Sequence, residues 1–125
     1  MGFLDGLMGN ASEMDIKELK EELKEILVEG EEVDSGYQVL RDYFVFTDKR
    51  LILVDKQGVT GKKVSYHSIP YSSIRHFSVE TAGSFDADSE LKLWVAGSNM
   101  PIQKQFGKKS SNVLEVQKTL ANYLL

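Results

Sequence analysis

The sequence predicts an α+β chain that is mainly β: a seven-stranded antiparallel sheet, bent into a barrel-like form, with a helix before it and a helix after it. Three observations carry that expectation. Between residues 36 and 106 the apolar residues recur at a period of two, the signature of half-buried strands. Short polar turns interrupt this stretch at close spacing, which favours antiparallel pairing over crossover connections. On both sides of it the apolar period lengthens to that of an amphipathic helix.

The first helix is expected over residues 12–29. Ser12 is placed to cap it, with Asp15 three residues on. Ile16, Leu19, Leu23, Ile26 and Leu27 form its apolar stripe, Glu13, Lys17, Glu18, Glu21, Glu22 and Glu25 cover the rest, and Gly30 supplies a stop. The strands are expected near 36–41, 43–47, 50–56, 62–69, 74–81, 89–96 and 101–106. Thr47-Asp48-Lys49-Arg50 makes the tight turn between the second and third. The third strand, Leu51-Ile52-Leu53-Val54, is apolar on both faces and so needs cover on both, from a helix or from another subunit. Along the sixth, Leu91, Leu93 and Val95 share one face, and Lys92, Trp94 and Ala96 the other. The last helix spans about 112–123. Asn112 with Glu115 makes a capping pattern, and Val113, Val116, Leu120, Ala121 and Leu124 line one face with Gln117 as the single interruption.

The segment FTDKRLILVD at Phe46–Asp55 resembles the second hairpin of the bacterial pleckstrin-homology-like domains. IPYSSI at Ile69–Ile74 is similar to a strand-to-strand corner of that family, and the acidic N-terminal helix with its small-residue tip also looks similar. The likeness covers nearly the whole chain and rests on structural motifs, not catalytic ones. It implies a PH-like barrel stoppered by the C-terminal helix. It also implies a binding or scaffold role and a tendency to self-associate. On this reading residues 1–34 form an N-terminal arm with the acidic helix, and residues 35–125 form the PH-like domain.

Composition narrows the function classes. The chain has 125 residues and no cysteine, which excludes disulfides, thiolate catalysis and cysteine-based zinc sites. The net charge of −4 hides a segregation: residues 1–34 hold eleven acids and three lysines, while residues 35–125 hold eight acids and twelve bases. The chain lacks the strong basic excess of a nucleic-acid binder. No apolar run approaches the ~20 residues that cross a bilayer. The first ten residues lack the basic and apolar regions of a secretory signal, and no Ser or Thr completes a myristoylation pattern after Gly2. A cytoplasmic protein is expected.

The chemistry-bearing clusters read mostly as structure. Asp48 suits the bend of its turn, and Lys49 and Arg50 read as solvated or strand-capping residues. The loop KQGVTGKK brings Lys56, Lys62 and Lys63 around two glycines, a candidate anion or lipid contact. It lies between the third and fourth strands and has no arginine at the spacing of an inositol-phosphate cradle. It also lacks the spacing of a P-loop. Asp86, Asp88 and Glu90 begin like a calcium loop, but Leu91 stands where that loop needs Gly and Gly97 where it needs Glu. His67 and His76 have no third metal ligand. No serine stands in a nucleophile elbow. No catalytic, cofactor or metal site is therefore expected.

A non-enzymatic scaffold that forms a homo-oligomer is the first functional expectation. Phe3, Leu4, Leu7 and Met8 present a short apolar face. Its burial would yield roughly 6–12 kcal/mol, against about 12 kcal/mol for ordering eight residues, so this tip needs something to dock on. Trp94 on the outer face of the sixth strand is the other candidate interface residue. A weak anionic-membrane binder using the lysine loop is the alternative, and a peptide binder using a sheet edge is a third.

Overall fold

The computed structural model describes residues 14–39, 42–57, 62–81, 89–106 and 112–125. These divide into two compact units, one ending at Ile69 and one beginning at Pro70. The described residues contain two helices, α1 (Ile16–Glu22) and α2 (Asn112–Leu124). They also contain seven strands: β1 (Val33–Val39), β2 (Asp42–Thr47), β3 (Arg50–Gln57), β4 (Lys63–Pro70), β5 (Ile74–Glu80), β6 (Ser89–Val95) and β7 (Ile102–Phe106). Every expected strand is present, with no end shifted by more than three residues.

The first unit is a four-stranded sheet in the order β1-β2-β3-β4 with α1 laid on it. β1 and β2 pair antiparallel, with Tyr37 opposite Phe44, and a bulge between Val33 and Ser35 shifts the register. β2 and β3 pair antiparallel, with Val45 opposite Ile52 and Phe44 opposite Leu53. Alternation therefore sends Tyr43, Val45, Ile52 and Val54 to one face and Phe44, Phe46, Leu51 and Leu53 to the other. All eight are buried. The first face is covered by Leu19 and Leu23 of the N-terminal helical segment, with Met14, Ile26, Leu27 and Val64 at its margin. The double-sided apolar character of β3 is thus explained on this face by cover from within the chain.

α1 is shorter than its apolar stripe predicts. Ser12 lies outside the described residues, and Asp15 is the N-cap, its carboxylate accepting from the Lys17 and Glu18 amides. The regular helix stops at Glu22, and residues 23–30 continue as turns. Farther on, Ile26 O is taken by the Arg50 guanidinium and the Val28 amide by the Glu31 carboxylate, so neither joins a helical ladder. Gly30 adopts φ +84°, the left-handed region, inside this turn. Seven helical residues are too few to be stable alone. Burial of Leu19 and Leu23, at about 1.5–3 kcal/mol each, holds the segment on the sheet. Gly36 makes the approach possible: a Cβ there would lie 2.3 Å from Leu19 Cδ1.

The second unit is a three-stranded antiparallel sheet in the order β5-β6-β7, entered through one 3-10 turn at Tyr71–Ser73. Leu91 and Leu93 are buried, and Phe77 and Val79 lie opposite them on the same face, as the alternation predicts. α2 contacts β5, β6 and the 3-10 turn, and buries Val113, Val116 and Leu120. The Tyr71 and Tyr123 rings stack at 4.3 Å and 8° between this turn and the end of α2. The C-terminal helix therefore covers its own sheet, which is the capping role the sequence assigns it.

Candidate functional site

The polar groups of the first unit converge on two clusters. In the first, Glu31 sits after the Gly30 turn with a fully buried side chain. Arg50, the first residue of β3, donates to both of its oxygens, from Nε at 2.9 Å and from Nη2 at 2.9 Å. The Thr47 hydroxyl donates to Glu31 Oε2 at 2.6 Å and accepts from the Lys49 and Arg50 amides at 3.1 and 3.0 Å. Arg50 also reaches Ile26 O at 2.7 Å and Ser68 Oγ at 2.8 Å. Beside it, Asp48 and Glu32 are tied both ways: Asp48 Oδ1 accepts from the Glu32 amide, and the Asp48 amide donates to Glu32 O, each at 3.0 Å.

This cluster fastens the helical segment, the β2–β3 turn and β4 to one another. The Arg50 hydrogen bonds hold the Glu31 carboxyl at a pKa of about 2, against the opposing effect of its burial, with help from Thr47 and the Val28 amide. Arg50 is therefore neither solvated nor a simple strand cap, as its place in a turn led one to expect. It is the hub of the unit.

The second cluster joins α1 to β2 and β3. The Tyr43 hydroxyl donates to Glu22 Oε1. Lys56 Nζ lies 3.5 Å from the same oxygen and 5.4 Å from the Tyr43 ring centroid. Burial, then the Glu22 hydrogen bond and charge, push the Tyr43 hydroxyl well above the ordinary tyrosine range. No nucleophile or general base emerges from either cluster. Every partner is already engaged in holding two elements together.

The remaining sequence candidates are placed as follows. Lys56 is committed to Glu22 and Tyr43, whereas Lys62 and Lys63 are exposed. The structure thus separates one lysine of the candidate anion contact from the other two. Trp94 lies on the opposite face of β6 from Leu91 and Leu93, as expected, but is half-buried. Its ring stacks on His76 of β5 at 4.4 Å. Glu90 pairs with Lys92 at 3.9 Å. His67 is exposed on β4. Phe3, Leu4, Leu7 and Met8, like Asp86 and Asp88, lie outside the described residues. Among the described residues no group of three His, Cys, Asp or Glu is arranged to hold a metal, and no helix is long and apolar enough to cross a membrane.

The Glu31–Arg50 and Glu22–Tyr43 pairs are what the sequence reading missed. Their partners are 19 and 21 residues apart. The available signal is slight: an arginine opening an apolar strand, with a threonine three residues before it able to orient it.

A four-stranded antiparallel sheet, and a three-stranded one covered by a C-terminal amphipathic helix, are the elements of a PH-like fold. A family model described as the bacterial PH domain matches residues 2–124, and the chain belongs to that family. It is similar to a pleckstrin homology domain from Shewanella amazonensis SB2B known by crystal structure, with 60% identity over 99% of both chains and a TM-score of 0.85. It is also similar to a DUF1696-family protein with a pleckstrin-homology domain from Shewanella loihica PV-4, with 56% identity over 91% of this chain and 97% of that one, and a TM-score of 0.79. A Bacillus subtilis (strain 168) protein, YjqA, is 58% identical over 97% of both chains.

Proposed function

We propose that this protein is a non-enzymatic, cytoplasmic scaffold that self-associates. The acidic helical segment of one copy docks on the mildly basic remainder of the next. The observation that carries this reading is the surface the fold leaves on that segment. Glu18, Glu21, Glu25 and Glu29 are exposed, and so are the apolar Ile16 and Val28 among them. A charged field with apolar side chains inside it suits a protein contact that is steered electrostatically and then desolvated. The unmatched bases lie elsewhere, with Lys62, Lys63 and Arg75 all exposed. The PH-like fold supports a binding role in general. The braced clusters support a rigid platform.

Multi-angle light scattering at tens of micromolar protein, in low and in high salt, tests this. Mass above the monomer at low salt, falling as salt rises, is expected, because surface attraction is screened beyond about 10 Å at 0.1 M. A strict monomer in both conditions overturns the proposal. An anionic-membrane contact through the lysine loop would rest on Lys62 and Lys63, at about 1 kcal/mol each near a charged surface, because Lys56 is held by Glu22.

A further inference from the structure

Two strands bound the four-stranded sheet, and the chain treats them differently. On β1 the Met14 amide donates to Gly36 O at 2.9 Å, and α1 lies against the strand. Among the described residues no helix covers β4. Six of its eight residues are exposed, with Ser65, Tyr66, His67 and Ser68 exposed in succession, while Val64 is half-buried against the first face and Ile69 is buried. Between those two anchors the strand keeps its place through its ladder to β3. Open edges of this kind are usually guarded by lysine or proline. Here Lys63 and Pro70 stand only at the two ends, and the middle carries no Lys, Arg, Asp or Glu.

Along the strand itself the charge has one sign. From Lys62 to Pro70 there is no carboxylate. Lys62 and Lys63 are exposed at one end. At the other end the charges balance: Arg50, which reaches Ser68, is paired with Glu31, and Lys49 and Asp48 are exposed side by side. Lys63 and Ser68 are about 17 Å apart along an extended strand.

We infer that the β4 edge receives an extended segment of a partner protein by strand addition. The segment is about six residues long and acidic where it meets Lys62 and Lys63, with small or β-branched residues beyond. Main-chain hydrogen bonds supply the pairing, and Lys62 and Lys63 select the charge and the register. This rests on the reading of the chain as a protein-binding module, but not on its self-association.

The test is a two-dimensional amide NMR titration of the whole protein with an acetylated and amidated peptide, EVTVTVE. Two control peptides accompany it: KVTVTVK, and an EVTVTVE N-methylated at every backbone amide between its terminal residues, so that neither edge can donate to a ladder. Saturable shifts centred on residues 63–69 are expected. Both controls should bind at least about tenfold more weakly, the first because its surface charge pairs are reversed, the second because its ladder donors are gone from both edges. The exposed double variant Lys62→Glu/Lys63→Glu should weaken EVTVTVE and improve KVTVTVK. The absence of saturable shifts overturns the inference, as do shifts centred elsewhere or N-methylation without effect. Light scattering on the same samples keeps the two readings apart. A monomer that binds the peptide at β4 overturns self-association alone, and an oligomer indifferent to the peptide overturns strand addition alone.

Discussion

β1 and β4 belong to one sheet, yet almost all the polar investment of the first unit lies away from β4. The β1 side carries α1, the Met14–Gly36 bond and the close seat of Leu19 over Gly36. The turns that follow α1 are held by Glu31 and Arg50. β4 receives one side-chain bond from this cluster, Arg50 to Ser68, and leaves six residues to solvent. The difference teaches that the acidic segment is not uniformly a solvated face. Glu22 and Glu31 are spent on attachment, while Glu18, Glu21, Glu25 and Glu29 remain outside. Substitutions on the covered side should therefore destabilise the protein, and substitutions at the exposed positions of β4 should leave it intact.

Arg50→Met should have the largest effect. It leaves the buried Glu31 carboxylate without its cation, a loss of about 3–5 kcal/mol, measured by urea denaturation. A loss under about 1 kcal/mol would mean that Glu31 finds water instead. The same cluster sets an acid limit. The Glu31 pKa is depressed from 4.5 to about 2, so its contribution is fully present above pH 4.5 and is lost as pH falls from there toward 2. Melting temperature should drop through that window in the native protein and drop less in Glu31→Gln. Parallel curves would contradict the assignment.

Next in size is Gly36→Val, which drives a side chain into Leu19 and should cost about 1–3 kcal/mol as overpacking. A neutral result would show α1 free to shift on β1. Tyr43→Phe removes the bond to Glu22 but keeps the ring under Lys56, and should cost about 0.5–1.5 kcal/mol by the same urea assay. Smallest of all, Tyr66→Ala on β4 should stay within about 0.5 kcal/mol. A larger loss would reveal that β4 is packed in solution.

The strands were legible because each alternates against a half-buried sheet, and period two survives any choice of partner. β1 begins three residues earlier than the alternation suggested. Val33 and Asp34 sit at the end of the acid-rich run, where charge masks the pattern, and the bulge there breaks the period. The first helix was overextended for the opposite reason. Ile26 and Leu27 keep the apolar stripe going, but only their burial follows the stripe, since the backbone has turned to meet Arg50. The face of β6 carrying Trp94 was read correctly, whereas its stacking on His76 depends on the β5–β6 register. Neither brace was legible. Charged residues far apart in sequence look like surface until the fold brings them together, and only the pairing of β2 with β3 places Thr47 and Arg50 against Glu31.

Amide hydrogen exchange separates the two sides of the sheet most directly. It should be read residue by residue in high salt, on a sample shown by light scattering to be monomeric. Slow exchange at Met14, Leu19 and Leu23, together with fast exchange at alternate amides from Val64 to Ser68, is the expected pattern. Uniform protection along β4 in that monomer, or fast exchange at Met14 and Leu23, would contradict it.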